Sequence, residues 1–480
     1  MPFISEPVKK VISRLLSGMA FLTASALLNT VNAGYQPIDD SLLRIKQIVI
    51  EGNKITRKDI IRRELLFQEG DSVSVGEFTE KCRKTKENLL NTSLFNFVTL
   101  QSSQTGQQVE VVISVIERWY IWPSPIFELA DRNFNTWWKT RDFSRVNYGF
   151  RLKWSNFRGR MENLDFLVRF GKNEHFSILY TLPYINKARK AGAGFEFGVI
   201  NKREVGYNTL SDELIYLYNR SPLLTQWYGA LILSYRGSIH ETHTASFRLQ
   251  HIAFADTLLK ANPDYFSGGV SSAAFLSLYY KFKADHRDAK YYPLKGWYFD
   301  LELLKSGLGF GSGSKVDAFW AKSTSRLFIP LSLRFSFGGS ITGKISSGSD
   351  QPYYFSQGMG YDRDYVRGYE YYVVDGAHYL ISRNTLRYAL IPQRASTIGF
   401  IPTQKFSKIH YATYLTIFGD AGRTWLNGGM KPGNLLPETL LLGAGAGLDF
   451  VTYYDKVIRI EYSVNKSGEN GIFIHFIAGI

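Results

Sequence analysis

The sequence predicts a small α+β module followed by a transmembrane antiparallel β-barrel of about sixteen strands. The first ground is a sustained alternation over residues 148–480: Leu164, Phe166, Val168 and Phe170 against Asp165 and Arg169, then Trp297, Phe299, Leu301 and Leu303 against Asp300 and Glu302. A soluble sandwich would bury the apolar face in a core. Alternation repeated this often fits a closed barrel with lipid outside and water inside. The N-terminus and the composition supply two further grounds.

Lys9, Lys10 and Arg14 precede a short apolar stretch over residues 20–28, and Val31-Asn32-Ala33 follows with the small-residue pattern of a secretory cleavage site. Residues 1–33 are expected to be a signal peptide and Gly34 the mature N-terminus. Gly34 stands where a lipid-anchored protein has cysteine, and no later run reaches the ~18 apolar residues of a membrane helix. An exported chain of this kind spans a membrane only as a barrel.

Aromatic residues make up 15% of the chain (30 Tyr, 34 Phe, 9 Trp), as expected if aromatic girdles flank a lipid-facing band. The formal charge is +15, but the basic residues are spread through loops and inward strand positions, so nucleic acid is not an expected partner. Cys82 is the single cysteine, which excludes an internal disulfide and leaves closure of the sheet as the staple.

Residues 44–118 read as the α+β module. Residues 45–51 form a strand ended by the turn signal Gly52-Asn53. Thr56, with Asp59 three residues on, is placed to cap a helix carrying Ile60, Ile61, Leu65 and Leu66. Phe78, Cys82, Leu89 and Leu90 make the apolar stripe of a second helix, in which Cys82 is a packing residue. Residues 94–100 and 109–117 are strands joined by a polar turn at residues 102–108. The order strand, helix, helix, strand, strand, together with Ile50, Gly52-Asn53, Thr56, Ile60, Gly70 and the stretch Ser93-Leu94-Phe95-Asn96-Phe97-Val98, resembles a POTRA domain, the polypeptide-transport-associated module that precedes many outer-membrane barrels.

Residues 119–145 read as an aromatic linker whose Trp119, Tyr120, Trp122, Trp137 and Trp138 suit either a membrane interface or packing between the two domains. Residues 146–480 then give sixteen segments by alternation and turn signals: 146–156, 160–171, 175–182, 191–201, 209–219, 225–235, 241–254, 273–285, 293–304, 315–326, 330–343, 378–391, 409–421, 439–452, 456–464 and 471–480. Residues 346–377 interrupt this series and are too long and too rich in glycine and tyrosine for a passive turn.

Within the interruption lies Val366-Arg367-Gly368-Tyr369, and two strands later Phe418-Gly419-Asp420-Ala421-Gly422. Alternation turns Leu415 and Ile417 to lipid and Thr416, Phe418 and Asp420 to the lumen. A guanidinium folded into a partly desolvated lumen needs an anionic hydrogen-bond partner, and Asp420 is the obvious one. Neither motif alone is specific; the pair in this order, behind a POTRA-like module, is much more so.

On these residues the chain resembles the BamA/TamA superfamily of outer-membrane assembly proteins, the bacterial surface antigen family, in a short form with one POTRA module. The resemblance implies a sixteen-stranded barrel, a loop folded into the lumen with its arginine-glycine-aromatic tip held on the wall, and a weak seam between first and last strands. The loop anchor would comprise Val366, Arg367, Gly368, Tyr369, Phe418, Asp420 and Gly422; the seam would join residues 148–156 (Tyr148, Phe150, Leu152) to residues 471–480 (Gly471, Phe473, His475, Phe476, Gly479). Two positions depart from the family pattern: Thr385, flanked by inward Arg383 and Arg387, stands where many relatives carry an acidic residue, and Ile480 ends the chain without an aromatic ring.

Enzyme chemistry is not expected. His240-Glu241-Thr242-His243 lacks the HExxH spacing, Gly443-Ala444-Gly445-Ala446-Gly447 lacks the lysine of a phosphate loop and reads as strand glycines, and no GxSxG elbow occurs. No cofactor or metal is expected. The expected partners are outer-membrane lipid, unfolded outer-membrane or secreted polypeptides and accessory assembly subunits. The expected activity is insertion of polypeptides at the barrel seam, from an outer-membrane barrel with its POTRA domain in the periplasm. The alternatives are a polypeptide secretion pore and a passive channel or structural barrel.

Overall fold

The computed structural model describes residues 42–129, 146–266, 269–308, 316–347, 352–399, 401, 404–426, 433–452 and 456–477. The expected signal peptide, Gly34, Trp137, Trp138, Gly479 and Ile480 lie outside these residues.

The N-terminal module contains β1 (Leu42–Glu51), α1 (Lys58–Arg62), β2 (Ser72–Ser74), α2 (Val75–Asn91), β3 (Phe95–Thr105) and β4 (Gln108–Glu117). Its sheet runs β2-β1-β4-β3, with β1 and β4 parallel. Alternate residues of β1 and β4 (Leu43, Ile45, Val109, Val111, Ile113) meet Ile60, Ile61, Phe78 and Leu89 of the helices in one apolar core. Ser74 caps α2 by accepting the Glu77 N–H at 3.3 Å.

Three local expectations change here. Thr56 does not cap α1, whose N-cap residue is Arg57 without a side-chain bond; the Thr56 hydroxyl is engaged by Tyr120 and Asn156 instead. The added strand β2 has three residues, too few to show alternation. The turn expected at residues 102–108 narrows, because β3 continues to Thr105 and β4 begins at Gln108.

Among the described residues that follow, sixteen strands form one sheet with antiparallel neighbours. Its first five strands are β5 (Ile121–Leu129), β6 (Val146–Phe157), β7 (Glu162–Gly171), β8 (Asn173–Leu182) and β9 (Ala191–Lys202). A separate hairpin of β10 (Glu204–Leu210) and β11 (Glu213–Tyr218) intervenes. The sheet resumes with β12 (Leu224–Tyr235), β13 (Glu241–Phe254), β14 (Ser272–Asp285), β15 (Gly296–Ser306), β16 (Ala318–Pro330) and β17 (Phe335–Ser346). It ends with β18 (His378–Thr397), β19 (Lys408–Trp425), β20 (Leu441–Val451), β21 (Val457–Asn465) and β22 (Asn470–Ile477). Phe195, Phe197, Leu231, Leu233, Leu415 and Ile417 are exposed on the outer face, whereas Asp300, Thr416, Phe418 and Asp420 are buried inside.

The strand count agrees with expectation, but its membership does not. Residues 209–219 are no wall strand: they fall across the β10–β11 hairpin, whose two arms pair only with each other in the sheet order. The missing wall strand is β5, inside the segment read as a linker, which pairs with β6 from Ile121↔Trp154 to Leu129↔Val146. Pro123 and Pro125 disguise it, since proline is tolerated in a sheet only where a strand's N–H faces no obligatory partner. The linker thus gives way to wall at Ile121, and Tyr120 belongs to the module's core.

The module sits against the short turns at one end of the barrel. Glu64 receives Arg236 through two bonds, 2.5 and 2.7 Å. Arg189 pairs with Asp59 at 3.1 Å, Asn91 accepts the Lys290 N–H at 3.0 Å, and the Phe97 and His410 rings lie 4.3 Å apart. Near β6, Thr56 is held by Asn156 at 2.8 Å and Tyr120 at 3.0 Å, and the Tyr120 hydroxyl donates to the Leu94 carbonyl at 2.9 Å. These contacts come from β6, β19 and the β8–β9, β12–β13 and β14–β15 turns.

Candidate functional site

The loop between β17 and β18 folds inward, and Val366, Tyr369, Met359 and Val374 form a small apolar cluster with Tyr379, Ile381 and Leu441 of the wall. Glycines make room for it. A Cβ on Gly443 would lie 1.8 Å from the Arg367 carbonyl oxygen, and one on Gly422 would lie 2.5 Å from Val366. Gly443 of β20 and Gly422 of β19 are therefore the seat of the loop, while Gly445 and Gly447 lie against β21.

Arg367 is buried at the loop tip. Its Nε and Nη2 donate to Asp420 Oδ2 and Oδ1, both at 2.7 Å, and Nη1 donates to Glu461 at 3.0 Å. Nη2 also reaches the Thr385 hydroxyl at 3.1 Å, and the guanidinium stands 3.7 Å over the Phe418 ring. Two carboxylates, a hydroxyl and an aromatic face thus replace the water that a buried guanidinium loses. Thr385 contributes where an acidic residue was expected from the family pattern, and the second carboxylate comes from Glu461 on β21.

Further contacts extend the clamp. Asp364 is held by Lys322 at 2.5 Å and by the Tyr379 hydroxyl at 2.7 Å, and Arg383 donates to the Tyr365 carbonyl at 2.9 Å. Toward the last strand, Tyr371 and Phe473 rings lie 5.4 Å apart, and His475 stands 3.4 Å from Glu461 and 3.8 Å from Glu370. Glu370 accepts the Gly368 N–H at 2.8 Å, yet burial pushes its carboxyl up to about 7. Arg387 belongs elsewhere: it donates to the Pro293 carbonyl at 2.7 Å and lies over Tyr292.

The loop-tip residues and Phe418, Asp420 and Gly422 are therefore brought together. The residues named for the seam are not. Gly471, Phe473, His475 and Phe476 lie on β22, a terminal strand, but Tyr148, Phe150 and Leu152 lie on β6 and pair with Phe127, Pro125 and Pro123 of β5. The two ends of the sheet are β5 and β22, so its first strand lies one strand earlier than the alternation alone indicates.

Sequence reasoning did not single out Glu461 or Glu370. Glu461 could have been found, because alternation puts it inward between Ile460 and Tyr462, both exposed on the outer face. Glu370 follows Tyr369 in an irregular loop and carries no such signal. In the module, the Cys82 thiol is half-buried against the core and pushed up to about 11 by that burial, which suits packing and not reactivity.

Comparison with known proteins bears on both parts. Residues 43–118 match the POTRA family model, described as a surface antigen variable number repeat. The chain is similar in structure to BamA from Haemophilus ducreyi lacking POTRA domains 1–3, with TM-score 0.52 and 14% identity over 90% of this chain and 84% of that one. It is also similar to CdiB from Escherichia coli, with TM-score 0.53 and 13% identity over 90% of this chain and 75% of that one. A search of curated protein sequences finds no match. Likeness at this identity is likeness of fold: a POTRA module ahead of a sixteen-stranded outer-membrane-type barrel.

Proposed function

We propose that this chain, a BamA/TamA-like protein in fold, inserts other polypeptides into the outer membrane at the seam between β5 and β22. In this reading the POTRA module lies in the periplasm and receives an unfolded client by strand addition, and the opened seam passes it into lipid. The client's own burial and hydrogen bonding supply the free energy.

The observation that carries the reading is the clamp on Arg367. The loop is fixed across the lumen to β18, β19 and β21 by Thr385, Asp420 and Glu461. A polypeptide threading the lumen would have to break a buried, fully partnered guanidinium, whereas a client at the seam leaves it intact. The module docked on the barrel turns opposes free axial passage in the same way. These features favour lateral insertion over a secretion pore or a passive channel.

The test is reconstitution in liposomes. Dilution of a urea-unfolded outer-membrane barrel protein onto these liposomes should give folding several-fold faster than on empty ones, with little steady ion conductance. Steady conductance without faster folding would put the passive barrel in its place.

A further inference from the structure

At the end of the barrel where the module sits, one corner of the wall stays apolar past the end of its strand. The outward series of β16 continues from Leu327 and Ile329 into the β16–β17 turn as Leu331 and Leu333, and returns as Phe335. Exposure rises along it, from 37% at Ile329 to 57% at Leu331 and to full exposure at Leu333. The turn is built, not frayed: the Ser332 hydroxyl accepts the Arg334 and Phe335 N–H groups at 3.3 and 3.1 Å, and the Leu331 N–H donates to the Phe335 carbonyl at 2.9 Å. A hairpin tip that meets only water is ordinarily polar, and this one presents leucine.

The neighbouring strand enlarges the patch. Pairing of β17 with β18 ends at Phe335↔Tyr388, and β18 runs on to Thr397 against β19. A register shift between Ala389 and Ile391 leaves two successive apolar residues, Leu390 and Ile391, exposed. The pairs Ile391↔Thr413 and Arg394↔Tyr411 use β19 residues two apart, so Arg394 lies on the same outer face as Ile391. Beside it, Arg334 Nη1 donates to the Tyr388 hydroxyl at 3.2 Å, and the Phe335 and Tyr388 rings lie 4.9 Å apart. The strands that carry these arginines offer them no acid: residues 318–349 and 376–419 contain no Asp or Glu.

Resting on the reading of the chain as an outer-membrane barrel with its module in the periplasm, we infer that this corner is a binding site for an anionic phospholipid of the inner leaflet. Arg334, Tyr388 and Arg394 receive the phosphate, and Leu331, Leu333, Leu390 and Ile391 lie against the acyl chains. Two observations select lipid over a soluble protein: the apolar patch is continuous with the lipid-facing wall, and the charge around it has one sign. The lipid fixes the depth of β18 and β19, the strands whose Thr385 and Asp420 hold the loop tip.

The experiment uses the full-length protein carrying Cys82→Ser. In liposomes of phosphatidylcholine and phosphatidylglycerol, a nitroxide on Leu333→Cys should collide with dissolved oxygen more than with a water-soluble nickel chelate, as should one on Phe197→Cys of the outer wall. Shielding of Phe197→Cys alone puts the turn in water and overturns the lipid site in favour of a protein partner; exposure of both to the chelate overturns the spanning barrel itself. In detergent with the two lipids at equal concentration, native mass spectrometry should show phosphatidylglycerol retained over phosphatidylcholine. Arg334→Gln and Arg394→Gln, each still running as a compact barrel on gels, should each lower that preference about fivefold. Equal retention of the two lipids by the parent, or an unchanged preference in both variants, overturns the site.

Discussion

Arg367 and Asp420 form a two-bond pair inside the barrel, Nε and Nη2 each 2.7 Å from a carboxylate oxygen, and the remaining amino group holds Glu461 at 3.0 Å. The pair joins the loop tip to β19 and β21, so the loop ties together strands near the C-terminal side of the seam. Breaking a buried pair from one side typically costs about 3–5 kcal/mol. Arg367→Ala takes the guanidinium from buried Asp420 and leaves Glu461 with Arg459 at 3.7 Å and His475 at 3.4 Å, and should be the worst single change; Asp420→Ala leaves the guanidinium with Glu461 and should cost less. The temperature at which the compact barrel disappears on gels should rank them accordingly, with the Arg367→Ala/Asp420→Ala double falling well short of the sum.

The seat of the loop gives a second prediction. Gly443→Ala puts a methyl where the Arg367 carbonyl oxygen now lies, 1.8 Å from the new Cβ. Loop and wall cannot both keep their places. The variant should lower barrel heat resistance by an amount similar to Arg367→Ala, and combining the two should add little, because both release the same loop. Ala444→Val, on the outer face of the same strand, should leave heat resistance unchanged.

A third concerns pH. Burial holds the Glu370 carboxyl up at about 7, against an ordinary value of 4.5. A carboxyl raised in the fold binds its proton more tightly folded than unfolded, so the stability Glu370 contributes is fully present below about 4.5 and is lost as pH rises through about 7. The loss is on the order of 2–3 kcal/mol if the loop unfolds with the barrel. Glu370→Gln removes the titration. Thermal unfolding across this range should show the variant gaining on the parent as pH rises; parallel curves would refute the assignment.

A fourth concerns docking of the module. Glu64, nearly fully buried, receives Arg236 through bonds of 2.5 and 2.7 Å and keeps Arg63 at 3.0 Å. Arg236→Ala leaves the acid with one cation and should weaken docking by about 1–3 kcal/mol. Spin labels on α2 and on the β14–β15 turn should report a broadened distance distribution, while the barrel's heat resistance stays near that of the parent.

How far these features were legible follows from what alternation can see. Thr416, Phe418 and Asp420 are assigned inward by period alone, and their exposed neighbours Leu415 and Ile417 outward, because one face meets water and the other lipid. Alternation records which face a side chain takes, not which strand lies beside it. Residues 209–219 alternate well enough to resemble wall, yet form a hairpin; residues 121–129 are wall, yet two prolines hide them. The two errors offset each other in the count of sixteen and moved the seam by one strand. Thr56 satisfies the pattern of a helix cap, but tertiary contacts with Tyr120 and Asn156 claim its hydroxyl. Glu370 was illegible because irregular loops have no period.

The most direct test of lateral insertion is to lock the seam. In a Cys82→Ser background, paired cysteines are scanned across the edges, Ile121, Pro123, Pro125 or Phe127 on β5 against Ile472, Ile474 or Phe476 on β22. A pair that forms a disulfide on oxidation should leave the barrel folded, abolish accelerated folding of a urea-unfolded barrel protein in liposomes, and regain it on reduction. Undiminished client folding by the oxidised, seam-locked protein would contradict the account.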